Sequence, residues 1–235
     1  MNTRFNPTVN GELHLGHLCL ILLNVQVAKE NGGQFICRFD DIQNEYLGDH
    51  KLSNENLQSQ CERIMEELDW LKIKTTYSFA SKEQEKNEQL IKPLGGLVKT
   101  LPLVGARLEH ALRGDYYPYT PYWTALRTAH DYREQIDPLI RGDDLTSEFS
   151  LYCYFCNVLG FPIPRICFIP KLHERSGNAI SNISKTSGNH SIEKYRKSGY
   201  GLAELVEMVE HSYLEEPKLG WHRQNIKKNP ILAPY

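Results

Sequence analysis

The sequence predicts an α/β domain built on a parallel sheet, on three observations. "TRFNPT" reads as a short strand running into a Pro/Asn/Gly loop. The run from about His14 to Lys29 is apolar enough for a buried helix, and "QFICRFDD" carries the aromatic and β-branched residues of a buried strand. Strand, helix and strand so closely spaced form the βαβ unit of a parallel sheet.

The elements follow in order. Gly32-Gly33 stops the first helix. Residues 53 to 69 open on a Ser53 cap and carry Leu57, Cys61, Ile64, Met65 and Leu68 at helical spacing. A further helix is predicted over 82–92. The Pro- and Gly-rich stretch 93–121 reads as connecting structure. "DPLIRGDDL" is a strand end and turn, 147–159 a helix and "RICFIPKL" another strand. "HERSGNAISNISKTSGNHS" reads as one Ser/Gly/Asn-rich loop with several positive charges. "SIEKYRKSG" and "LAELVEMVEHSYL" give two short helices before an irregular basic tail.

Composition sets the class. The 235 residues are 40% hydrophobic and 24% charged, ordinary for a soluble globular enzyme. A net charge of -2 supplies no bulk pull toward nucleic acid, so any RNA contact would have to come from a local patch. "MNTRFNPT" has no apolar stretch of signal-peptide length, and a cytoplasmic location is expected. Six scattered cysteines suit reduced thiols. Cys153 and Cys156 form a CxxC within an amphipathic helix and read as core cysteines, so no metal site is expected.

The chemistry concentrates at two places. His14 and His17 sit on one turn at the start of the first helix, where unpaired backbone N–H groups favour anions. Their imidazoles can donate to phosphate oxygens, while Gly16, lacking Cβ, admits a flat base or ribose. By themselves the pair can equally be helix-start residues without a special role. Ser184-Lys185 lies in the polar loop, and a lysine there can neutralise charge that builds as pyrophosphate leaves. Alone, it also reads as a solvated loop lysine.

Taken together, these motifs resemble the glutamyl- and glutaminyl-tRNA synthetase branch of the class I aminoacyl-tRNA synthetases. That branch opens on RFxPSPTGxLHxGH. The chain has Arg4-Phe5-Asn6-Pro7-Thr8-Val9-Asn10-Gly11-Glu12-Leu13-His14-Leu15-Gly16-His17 in the same spacing. The family's RIED is matched by Arg38-Phe39-Asp40-Asp41, and its IRGEDL by Ile140-Arg141-Gly142-Asp143-Asp144-Leu145. Its KLSKR and the following S-x-E-x-Y are matched by Asn182-Ile183-Ser184-Lys185-Thr186 and by Ser191, Glu193 and Tyr195.

The resemblance implies a Rossmann-like sheet of the class I synthetase type, with a reduced insertion and a short helical C-terminal part. It divides the chain into the first half of the catalytic core (1–92), a reduced insertion (93–121), the second half with its lysine loop (122–190) and a helical extension (191–235). It implies ATP and Mg²⁺ as cofactors and an amino acid converted to an acyl-adenylate. His14, His17 and Lys185 would be catalytic, with Gly16, Ser184 and Asn182 around ATP. Arg4, Asn6, Thr8, Asp40, Trp123, Arg127 and Arg141 would bind the amino acid, Asp40 taking its ammonium and Arg4 and Arg141 its carboxylates.

Three departures stand out. Asn182 replaces the first lysine of KLSKR, removing one phosphate-facing charge. "PYWTALRTAHD" puts Trp123 where the family has a pocket tyrosine and Arg127 where it has a smaller polar residue, a change expected to alter selectivity unless Arg127 points outward. The interval between Asp40 and Arg141 is short for the family's acceptor-stem-binding insertion, and no anticodon-binding domain is expected after the loop. The expected acceptor is therefore a small amine or carrier protein, or else tRNA, as in the short glutamyl-queuosine type of synthetase. A nucleotidyltransferase or a non-catalytic nucleotide-binding module remains the reading from another class.

Overall fold

The computed structural model describes residues 1–7, 9, 11–42, 53–95, 121–169, 173–176, 179–182 and 190–214. Strands β1 (Thr3–Phe5), β2 (Phe35–Phe39) and β3 (Thr76–Phe79) form one parallel sheet with β2 in the middle. Strands β4 (Leu139–Gly142) and β5 (Ile166–Ile169) form a second parallel pair. A parallel bridge from Asn2 to Ile136 lays the segment leading into β4 along the free edge of β1. The strands thus succeed one another as β3-β2-β1-β4-β5, the order of a doubly wound sheet whose direction of winding reverses between β1 and β4.

Helix α1 (Leu15–Glu30) follows β1 and packs against both β1 and β4. It is apolar nearly all round, as a helix enclosed on every side must be, and Leu18, Ile21 and Leu22 are buried. Gly33, just past its end, is a packing requirement, since a Cβ there would lie 1.6 Å from the Met1 carbonyl oxygen. Helix α2 (Asn54–Trp70) opens on Ser53, whose hydroxyl accepts from the Asn56 N–H as the sequence predicts. Helix α3 (Ala80–Ile91) follows β3, helix α4 (Pro121–Arg133) precedes β4, and α5 (Thr146–Leu159) links β4 to β5.

Alternation along the strands sorts the core into two sides. Phe5, Cys37 and Phe39 pack with α1 and α2, while Ile36 packs with Ile136, Leu139, Tyr152 and Cys156 on the other side. Arg4 and Arg38 alternate onto that second side and meet α4.

One sequence expectation is corrected. Part of the Ser/Gly/Asn-rich stretch read as loop is an antiparallel hairpin, β6 (His173–Ser176) with β7 (Ala179–Asn182). Its register pairs His173 with Asn182 and Ser176 with Ala179. The hairpin leads to helices α6 (Ile192–Lys197) and α7 (Leu202–Leu214), the latter packed on α1. Among the described residues no helix is long and apolar enough to cross a membrane. Most of the connector at 93–121 and the basic tail lie outside the described residues, as do Thr8, Ser184 and Lys185.

Candidate active site

The start of α1 is built by its own histidines. His14 is the N-cap, and its Nδ1 accepts the Gly16 N–H at 3.1 Å, while His17 Nδ1 accepts the His14 N–H at 3.3 Å. This is a reciprocal capping box made from two imidazoles. An Nδ1 that accepts carries no proton, so in the neutral ring the proton sits on Nε2 and that nitrogen is a donor. The rings stack with centroids 3.7 Å apart and 24° between planes, an arrangement that disfavours two imidazolium charges. The space beside Gly16 is taken by His14 itself, because a Cβ there would sit 3.0 Å from His14 Cε1.

The chain returns to this tip after the lysine loop. The Leu15 N–H donates to the His190 carbonyl at 3.2 Å, and the Ile192 N–H donates to the Leu13 carbonyl at 2.9 Å. His14 and Ser191 thereby form an antiparallel bridge. Lys185 precedes His190 by five residues, a reach of about 17 Å in extended chain. The far side of the loop is fixed by Asn182, the last residue of β7.

Between β1, β2 and α4 lies a buried ionic network. Arg4 donates to Asp131 through Nε (2.5 Å) and Nη2 (2.8 Å), and Arg38 Nη1 donates to the same carboxylate at 2.7 Å. Arg38 also donates to Glu134, which receives His130 Nε2 at 3.1 Å. Burial pushes the Asp131 carboxyl upward, but Arg4 and Arg38 outweigh it and hold it well below the usual carboxylate range. Burial likewise opposes the charge of Glu134, and the His130 hydrogen bond and Arg38 bring it down to about 2. Removing one side of such a buried set costs about 3–5 kcal/mol because charge is left unpaired. Arg4, expected at the substrate carboxylate, therefore also holds β1 to α4. Glu134, His130 and Tyr152, which lies close to Asp131, were missed by sequence reasoning. The spacing of His130, Asp131 and Glu134 over one helical turn was the available signal.

A second pair joins α4 to the end of β2. Arg127, on α4, points inward and not along the solvent face. Its Nε donates to Asp40 Oδ2 at 3.0 Å, its Nη2 donates to the same oxygen, and Asn6 Nδ2 is 3.4 Å away. Arg141, at the end of β4, meets Glu148 Oε2 at 3.7 Å, beyond hydrogen-bond range. Burial, with Arg4 nearby, lowers its pKa to about 10. Trp123 is 2% exposed and packs with Ile42, Leu94 and Phe155.

The tip of α1 follows β1, Asp40 follows β2 and Arg141 lies near the end of β4, so these groups stand at the carboxyl ends of strands, where open α/β sheets bind ligands. Residues 1–100 match the family of class I tRNA synthetases (E and Q), catalytic domain. The glutamate–tRNA ligase 1 of Ehrlichia canis (strain Jake) is 24% identical over 290 aligned residues, covering 95% of this chain and 57% of that protein. That of Helicobacter hepaticus is 25% identical over 284, covering 93% and 57%. The first 100 residues thus match the catalytic domain of the class I glutamyl and glutaminyl tRNA synthetases, and the chain as a whole is similar to the core of glutamate–tRNA ligases.

Fold comparison agrees. The glutamate-tRNA synthetase structure from Elizabethkingia anophelis superposes with a TM-score of 0.66 at 16% identity, over 100% of this chain and 65% of that one. The tyrosyl-tRNA synthetase of Aeropyrum pernix gives 0.57 at 15% identity, over 79% and 57%. This core thus spans 57% of the length of the two ligases it matches in sequence. The aligned stretches exceed the chain's own 235 residues, so those ligases carry internal segments that this core lacks.

Proposed function

We propose that this core activates a carboxylate, that of an amino acid or a related acid, at the expense of ATP. A carboxylate oxygen attacks the α-phosphorus, the bond to the β-phosphate breaks, and acyl-adenylate and pyrophosphate result. The observation that carries this reading is the imidazole-capped tip of α1, with the chain that leaves the lysine loop hydrogen-bonded onto it.

In this reading the Nε2–H groups of His14 and His17 hold phosphate oxygens, and Gly16, Ser184 and Asn182 lie around the nucleotide. Lys185 meets the charge that develops on the leaving pyrophosphate, where a preplaced cation counts most. Mg²⁺ would be carried on the ATP phosphates and would supply charge neutralisation there. Among the described residues no group of three or more His, Cys, Asp or Glu side chains is gathered to hold a metal ion. Arg4, Asn6, Thr8, Asp40, Arg127 and Arg141 surround the acid, with Trp123 behind them. The acyl group then passes to tRNA, as the names of the related ligases suggest, or to a small amine or a carrier protein, which the shortened core favours.

Acid-dependent exchange of pyrophosphate into ATP tests the reading. The full chain is expected to catalyse it, and Lys185→Ala to lose it while melting at the wild-type temperature. Absence of exchange with every amino and related acid, or full activity in the variant, contradicts the reading.

A further inference from the structure

We infer that Arg127 sets the substrate class by occupying Asp40, so that the acid taken at this crevice carries no free ammonium beside its carboxylate. The inference rests on the activation reading and narrows its substrate.

The argument is one of pairing. A carboxylate at the carboxyl end of β2 is the natural seat for a cationic group of a ligand, yet Asp40 Oδ2 already receives two guanidinium N–H groups of Arg127, and Asn6 approaches it as well. An incoming ammonium would have to displace a charge-assisted contact made by the chain itself. Asp131 offers no alternative, because Arg4 and Arg38 share it.

On the cationic side the balance is reversed. Arg4, Arg127 and Arg141 are close enough for each to oppose the charge of the others. Arg141 faces its carboxylate only at 3.7 Å, and burial weakens its hold on its proton. Among the described residues no carboxylate comes within hydrogen-bond range of Arg141, and a largely enclosed guanidinium so placed favours an anionic ligand. The ligand class is a carboxylic acid whose second group is anionic or neutral: a dicarboxylate without an amine, or a 2-oxo, 2-hydroxy or N-acylated acid.

The test compares glutamate with glutarate, 2-oxoglutarate and N-acetylglutamate, using the full chain, by pyrophosphate exchange and by calorimetric binding without ATP. Wild type is expected to favour at least one amine-free acid at least 10-fold over glutamate in both assays. Arg127→Gln, which releases Asp40, is expected to move that ratio toward glutamate by 10-fold or more. Arg127→Lys, which keeps the charge, is expected to retain the wild-type order, so the prediction survives a folding failure of the glutamine variant.

Preference for glutamate in wild type, or equal use of all four acids, overturns the inference and leaves activation standing. Amine-free preference in binding, with no exchange from any acid, overturns activation and leaves the selection standing. Absence of both binding and exchange removes both.

Discussion

At position 14 a histidine stands where helices more often begin with Ser, Thr, Asp or Asn. Its Nδ1 caps the helix and thereby directs the ring's remaining N–H away from the backbone. The two roles separate by substitution. His14→Asn retains a capping acceptor and loses the Nε2 donor, so acid-dependent pyrophosphate exchange is expected to fall about 10²–10³-fold at nearly unchanged stability. His14→Ala loses the cap as well and is expected to be less stable by about 1 kcal/mol in urea. Wild-type exchange by His14→Asn would leave the histidine as a cap alone. The spacing of the two histidines was legible in the sequence. Their stacking was not, because it follows from the ring of His14 folding over Gly16.

Helices read well from sequence because their burial follows a 3.6-residue period, and α2 shows both the strength and the limit of that rule. Cys61, Ile64 and Leu68 lie on its buried face as expected, but so does Glu67, with no exposed surface and neither carboxyl oxygen in good hydrogen-bond geometry. Burial raises its pKa to about 7, with Arg63 pulling it back and Glu12 adding to the rise. An acid whose folded pKa lies above its ordinary value stabilises the fold most below that ordinary value. Its contribution is lost as pH rises toward about 7, by at most about 3 kcal/mol. His130, whose buried ring titrates below its usual range, has the opposite slope and is common to wild type and variant. Glu67→Gln is therefore expected to gain stability over wild type by about 1–3 kcal/mol between pH 5 and pH 8 in urea titrations. Parallel pH profiles would show that Glu67 is charged in the fold. The hairpin of β6 and β7 escaped the sequence reading because its strands are polar and lack alternation. The Gly-Asn dipeptide between them in the sequence was the remaining sign.

At the scale of the molecule, the βαβ start announced the sheet, and the order β3-β2-β1-β4-β5 places the switch of winding direction beside the tip of α1. Which charges pair across that crevice was not legible. Arg4 with Asp131 and Arg127 with Asp40 are separated by 127 and 87 residues, and a sequence does not say which of several carboxylates an arginine will meet. The same long-range closure brings His190 back onto the start of α1, joining the lysine loop's far end to the imidazoles. Amide hydrogen exchange of the full chain, with and without a non-hydrolysable ATP analogue and Mg²⁺, tests that closure directly. The account predicts that the analogue protects residues 13–18 and 183–190 together. Protection confined to one of these segments, or absent from both, contradicts it.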